Sequence, residues 1–145
     1  MVTKIIEKNG VVFAKRISLD NIKKGLCFYS NDEDFIQVGT WNYEKDRYLV
    51  AHNHNIVERK INRTNEVIII LDGKLKIDIY DENDEKITEL KAKKNDLLIM
   101  MNGGHGYHIL EDNTKVIEIK NGPYLGAEKD RRRFWNLKEI LSLEG

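Results

Sequence analysis

The sequence has little cysteine, and it has no segment suited to secretion or to a membrane. Its single cysteine, Cys27, cannot form a disulfide within the chain, which predicts a reducing, cytoplasmic setting. Residues 1–4 do not open an apolar signal segment. An apolar run such as Leu97 to Met101 is far shorter than the roughly 20 residues that a membrane span requires. We therefore expect no membrane partner.

An excess of charge of either sign is also missing. The chain carries 24 Lys and Arg residues against 24 Asp and Glu residues, so no overall field would recruit nucleic acid. The short basic run Arg131 to Arg133 is interpreted as a solvated face. There is one proline, Pro123, and no low-complexity linker divides the 145 residues. These features predict a single globular domain that spans residues 1–145.

What the sequence does have is a series of short strand patterns. Apolar residues occupy every second position from Leu75 to Ile79, which is typical of a strand with one buried face. Residues 67–71 are continuously apolar and predict a more buried strand, and Asp72-Gly73 between the two predicts a hairpin. Further strands are expected at 35–41, 47–52, 87–90, 97–101 and 116–120. This spacing predicts an all-β fold, a barrel or a jelly roll.

Helix signals lie only near the two ends. Ser18 is expected to cap a short helical turn that runs to Lys24 and stops at Gly25, and apolar spacing predicts a helix over 131–143. We therefore expect a β core over about 35–124, preceded by an N-terminal extension over 1–34 and followed by a helical tail over 126–145.

Candidate metal ligands come from two short windows that contain all four histidines. His52 and His54 stand two residues apart, so on a strand both imidazoles point to one face, roughly 6–7 Å apart. Such a pair suits a transition metal. Glu66 opens an apolar strand, where a carboxylate needs a positive partner that a metal would supply. The competing interpretation is that these are ordinary hydrogen-bonded side chains.

The second window leaves two choices for a further ligand. His105 and His108 differ in parity, so only one of them can face inward on a regular strand. We favour His105, because it stands between glycines that allow the backbone to approach a ligand. His108 would then point outward.

These residues resemble the cupin family. The first cupin motif is matched by His52-x-His54 and by Glu66 with Gly73 seven residues later, although eleven residues separate His54 from Glu66, more than the motif has. Glu58 satisfies the shorter spacing but lacks the following glycine. The stretch from Gly103 to Tyr107 and the ending from Glu118 to Tyr124 are similar to small WbuC-type cupin metalloproteins. The second cupin motif is only partly kept, because Asn95 and Met101 replace its glycine and proline and no histidine falls at its spacing.

The resemblance implies a cupin-type jelly-roll β-barrel with a short C-terminal helix. It also implies one divalent transition metal (iron, manganese, nickel, zinc or copper) bound by His52, His54, Glu66 and His105, and a link to surface-polysaccharide biosynthesis. Glu118 and Lys120 share one strand face, where they form either an outward ion pair or a general base and an anion-binding group. Tyr107 is a further candidate for the pocket wall or the core.

Three functions follow from this assignment. The first is a metal-dependent enzyme, an isomerase or epimerase, that acts on a small sugar or carbonyl compound. The second is an Fe(II) dioxygenase that uses the same ligands. The third is a module that binds a small molecule without converting it. Arg59 and Arg63, which lie in a long loop, are candidates for contacting an anionic substrate. A homodimer is expected as well.

Overall fold

The computed structural model describes residues 2–134 and residue 142. Within this part the chain forms ten strands, arranged in antiparallel sheets, which confirms the all-β prediction. The strands are β1 Val2–Lys8, β2 Val11–Ser18, β3 Gly25–Phe28, β4 Gly39–Asn42, β5 Glu66–Asp72, β6 Lys74–Tyr80, β7 Lys86–Lys93, β8 Asp96–Met100, β9 Gly104–Ile109 and β10 Lys115–Lys120.

Two sheets form the body of the molecule. The larger has the strand order β1-β2-β8-β5-β10, and the smaller has the order β7-β6-β9. The inner strands β5 and β8 carry buried side chains on both of their faces, which explains their continuously apolar sequences. Strand β6 alternates buried and partly buried positions, as expected for a strand that presents one face to the core.

The main core lies between these two sheets. From the larger sheet, Ile68, Ile70 and Leu98 contribute to it, and from the smaller sheet it receives Leu75 and Ile77. A second apolar cluster covers the other face of the larger sheet, where the strands β3 and β4 and the segment between them pack over Val67, Leu97 and Ile99. The larger sheet is therefore covered on both faces over its middle strands.

The chain passes between the two main sheets at several turns. Asp72-Gly73 is one of these, because β5 belongs to the larger sheet and β6 to the smaller one, so the predicted hairpin at this position is wrong. Gly73 has a φ of +81°, a conformation that glycine adopts without strain. A hairpin does occur at Asn9-Gly10, where both residues have positive φ and join β1 to β2.

Residues 2–34, expected as part of an N-terminal extension, contribute strands to the larger sheet. Strand β2 lies inside the larger sheet, hydrogen-bonded to β8, and β1 forms one of its edges. The sequence does not predict β2, because the strand includes a charged residue, Lys15. Its buried ammonium group donates to the carbonyl of Tyr29 at 2.9 Å and lies 3.9 Å from the carboxylate of Asp34.

Two of the expected strands differ from the structure. The strand expected over 35–41 begins only at Gly39. The strand expected over 47–52 is absent, and the sheets that the structure describes hold no strand between Asn42 and Glu66. A strand needs a hydrogen-bonding neighbour, and none of the strands that the structure describes pairs with residues 47–52.

The helical predictions hold only in part. The turn after Ser18 is a single 3-10 turn, Leu19–Asn21, in which the Ser18 hydroxyl accepts a hydrogen bond from the Asp20 amide. A four-residue helix, α1, spans Ala127–Asp130. Residues 131–134 are not helical, and most of the helix expected over 131–143 lies outside the described residues. The described residues include no helix that is long and apolar enough to cross a membrane.

The two main sheets do not close into a barrel over residues 2–134. In this range β10 ends the larger sheet and β9 ends the smaller one, with no further strand bonded to either. Side chains of these two edge strands contact Glu66, the first residue of β5.

Candidate functional site

The candidate site centres on Glu66, the first residue of β5. Its side chain is buried, with 6% of the residue exposed, and it lies on the same strand face as Ile68 and Ile70. Both isoleucines belong to the core between the sheets. A carboxylate at this position is costly unless neighbouring groups donate hydrogen bonds or supply positive charge.

Three side chains from the two edge strands meet this carboxylate. The Tyr107 hydroxyl donates to Glu66 Oε1 at 2.7 Å, and His105 Nε2 lies 3.6 Å from the same oxygen. Lys120 Nζ lies 3.5 Å from Glu66 Oε2. His105 and Tyr107 share one face of β9, while Lys120 is the register partner of Glu66 on β10. The cluster therefore joins both sheets at their edge.

Electrostatics keep Glu66 ionised. Burial alone raises the pKa of its carboxyl group, but the nearby imidazole of His105, the hydrogen bond from Tyr107 and the charge of Lys120 outweigh burial, and the pKa falls to about 2. Burial, followed by the charge of Glu66, raises the pKa of Tyr107, so its hydroxyl stays a donor. The site thus combines a carboxylate, a phenol, an imidazole and an ammonium group.

Glu118 extends the cluster along β10. Lys120 Nζ lies 3.0 Å from Glu118 Oε1, and this hydrogen bond is the largest of the effects that raise the pKa of Lys120. Both side chains line a cleft of about 420 Å³, together with Thr64, Asn121, Gly122, Pro123, Tyr124 and Asp130. A cleft of this size is within the range used by small-molecule sites.

His52 and His54 lie elsewhere in the structure. Both are in the exposed segment before β5, with ring centroids 5.0 Å apart in an edge-to-face arrangement. His52 Nδ1 lies 3.0 Å from the Val50 carbonyl oxygen. The structure brings the two imidazoles together, but it does not bring them to Glu66.

The alternative ligands and the loop arginines are also outside the cluster. Glu58 lies in the same exposed segment as the two histidines, and His108 is an exposed residue opposite Lys76 on β6. Arg59 makes a local hydrogen bond to the Val57 carbonyl. Arg63 contacts Glu82 and Asn102, not the cleft.

Two asparagines that sequence reasoning missed hold the cluster together. Asn121 Oδ1 accepts a hydrogen bond from the Asn65 amide at 2.6 Å, and Asn121 Nδ2 donates to the Arg63 carbonyl. Asn65 Nδ2 in turn donates to the Met101 carbonyl at 2.7 Å. These bonds fix the start of β5 against the end of β10, next to Glu66 and Lys120. The only sequence signal is that each asparagine adjoins a strand end.

No group of three or more His, Cys, Asp or Glu residues in the described part of the chain is close enough to hold a metal ion. What the described residues offer is two pairs, Glu66 with His105 and His52 with His54. Comparisons of the chain with protein-family models, with curated proteins and with solved structures gave no match.

Proposed function

We propose that this chain is a cupin-type jelly-roll domain that binds one divalent transition metal and acts on a small sugar or carbonyl metabolite. The observation that carries the proposal is the pair formed by buried Glu66 and half-buried His105, a carboxylate oxygen and an imidazole nitrogen 3.6 Å apart. Both groups are common metal ligands, and they meet beside β9 and β10, which are edge strands of the two main sheets.

The geometry of this pair fits a shared ion. Two donor atoms that each lie about 2.1 Å from one ion are separated by about 3.4 Å at a tetrahedral angle. The separation of 3.6 Å between His105 Nε2 and Glu66 Oε1 is close to this value. The Tyr107 hydroxyl bonded to Glu66 would orient the carboxylate, which is a usual role for a hydrogen-bonding group behind a ligand.

His52 and His54 also fit a shared ion. Two imidazoles on one ion, with metal–nitrogen bonds of about 2.1 Å, place their ring centroids about 5 Å apart. His52 and His54 have a centroid separation of 5.0 Å. When His52 Nδ1 donates to the Val50 carbonyl, Nε2 is left with a lone pair for a metal.

The reaction that these groups suit is a proton transfer next to a carbonyl group. A bound divalent metal would supply polarisation of the substrate oxygen. Glu118 is placed on the cleft wall to accept a proton, and Lys120 is placed to bind an anionic or enolic oxygen. Ionised Glu66 keeps Lys120 oriented toward the same wall.

A second candidate is binding of a small molecule without metal and without reaction. It is favoured by the complete set of protein partners around Glu66, which leaves its carboxylate paired in the absence of any ion. In that case the cleft beside Glu118 is the binding site and Lys120 its anchor.

Elemental analysis of protein purified without a metal-affinity tag distinguishes the metal-binding candidate from the candidate that binds a small molecule without metal. We expect about one transition-metal ion per chain in the wild type, and loss of most of it in His52→Ala and Glu66→Gln, because each removes a ligand. His108→Ala, a change at an exposed histidine outside the cluster, is the control and should retain the metal. A wild type with only trace metal after reconstitution would refute the metal site.

The reaction is tested on the loaded protein in D₂O. Small aldoses and ketoses should exchange a carbon-bound hydrogen in its presence, detected by NMR. Glu118→Gln should abolish the exchange and keep the metal, since Glu118 is assigned to proton transfer and not to coordination. A metal-loaded wild type that exchanges no hydrogen in any of these sugars would leave binding without reaction as the function.

A further inference from the structure

The segment from Tyr43 to Arg63, called the arm below, is exposed at every one of its positions. It contains neither helix nor strand. Apolar side chains are among the most exposed, with 105% for Ile56 and 75% for Val50. Single exposed apolar residues are ordinary, but a run of this length that carries several of them indicates a surface made for contact with another surface.

The arm is attached to the body only near its ends. Glu44 contacts Lys24 at one end, and Arg63 contacts Glu82 at the other. Between Lys45 and Ile61, every hydrogen bond, ion pair and ring contact found among the described residues is local to the arm. Its middle therefore contributes no polar contact to the fold of its own chain.

Among the described residues, the body has an unpaired strand edge, called the opening below, to which a further strand can bond. Strands β9 and β10 end their sheets on the side where the Glu66 cluster joins them. The backbone edge of β9 is not bonded to a further strand within residues 2–134, and Ile109 on β9 is 56% exposed. A free strand edge next to exposed apolar side chains is a template for pairing with another segment.

The arm has the pattern of that missing strand. Val50, His52, His54 and Ile56 fall on alternate positions, so in an extended conformation one face would present two imidazoles between two apolar side chains. On β9, His105 and Tyr107 are the residues that face Glu66. A strand beside β9 with its histidines turned inward would add them to the same cluster.

A second copy of the chain is the occupant that the exposed surface favours. The arm begins directly after β4, and the outer face of the β3–β4 pair carries Leu26, Phe28 and Trp41, of which Trp41 is 66% exposed. Docking of the arm within its own chain brings no further surface to that face, whereas a second copy supplies a further surface that can pack against it. Exchange of an identical element between two copies is also reciprocal, so each contact forms twice. An arm of about 20 residues spans up to roughly 66 Å when extended, which is ample for this exchange.

We propose that the arm of one copy pairs with β9 of a second copy, so that each Glu66 cluster receives His52 and His54 in trans. This inference rests on the proposed function for the role of the two histidines, but not for the docking of the arm. It makes a dimer the smallest unit in which the ligand set is complete.

Cross-linking of two single-cysteine chains tests the docking without any metal. In a Cys27→Ser background, one chain carries Asn53→Cys on the arm and the other carries His108→Cys on the outward face of β9. The two are co-expressed and treated with a short bismaleimide. We expect a cross-linked heterodimer in about tenfold excess over a control that carries Val11→Cys, at the start of β2, in place of His108→Cys.

Two results would overturn the exchange. One is a mixture that gives no more product than the Val11→Cys control. The other is a chain that carries both Asn53→Cys and His108→Cys and cross-links only within itself, which would show that the arm closes its own opening. A wild type that is monomeric by light scattering at micromolar concentration contradicts the exchange as well.

Complementation then tests the ligand set. The double variant His52→Ala, His54→Ala and the variant Glu66→Gln are co-expressed, and the heterodimer is isolated by two different tags that bind no metal. Exchange in trans leaves one intact site in two, so about half of the wild-type metal content should return. A heterodimer without metal, in a protein whose wild type binds it, would overturn the trans arrangement. Absence of metal from the wild type, with cross-linking retained, would refute the proposed function and leave the docked arm standing.

Discussion

At the scale of the residue, Glu66 shows that strand parity predicts the face of a side chain but not its contact partners. Its place on one face with Ile68 and Ile70 follows from the sequence, because side chains alternate along a strand. Its partners do not, since Tyr107 and Lys120 come from strands more than forty positions away. Which residue lies opposite Glu66 depends on the register of β10 on β5, and no local pattern encodes that register.

Tyr107→Phe tests how much the cluster contributes to stability. The hydroxyl donates to a buried, ionised carboxylate, so its removal leaves Glu66 less well satisfied. We expect the free energy of unfolding to fall by about 1–3 kcal/mol in protein treated with a chelator, measured by urea denaturation. Tyr124→Phe, at an exposed tyrosine, should change it little. Equal effects of the two substitutions would contradict the importance of the bond to Glu66.

At the scale of the element, the sequence identified β5, β6 and β8 because the burial of these strands is visible in their local pattern. Strands β5 and β8 are buried on both faces and read as continuous apolar runs, and β6 alternates because one face is in the core. Strand β2 was missed, since the partners of its buried Lys15 lie in a separate segment. The strand expected over 47–52 has the local pattern but no neighbour in the described structure, and a strand cannot form without one.

The turn at Gly73, where the chain passes from the larger sheet to the smaller one, allows a test of stability at this scale. A Cβ atom at Gly73 would lie 2.7 Å from Thr114 Cα, and the residue has a positive φ. Gly73→Ala should therefore reduce the free energy of unfolding by about 3 kcal/mol, from backbone strain and overlap together. Gly10→Ala is the matched control, because Gly10 has a positive φ with no atom within 4 Å of the added Cβ. It should cost roughly 1 kcal/mol, from strain alone. Equal losses in urea denaturation would show that the contact with Thr114 is not tight.

At the scale of the whole molecule, one chain holds two separate pairs of candidate ligands. Glu66 and His105 meet inside the body, while His52 and His54 meet on an arm that stands away from it. The sequence predicts all four residues as ligands through spacing and the cupin resemblance. It could not show that the pairs are separate, because this depends on where the arm docks. Exchange of the arm between two copies is the arrangement that unites the pairs and covers the exposed apolar face of β3 and β4.

The most direct test of this account is anomalous scattering, measured at the absorption edge of the bound metal on crystals of untagged protein. We predict one strong peak beside Glu66 in each chain, within bonding distance of its carboxylate and of His105. His52 and His54 from a second copy should complete the coordination. Crystals grown with added metal that show no anomalous peak next to Glu66 would contradict the account.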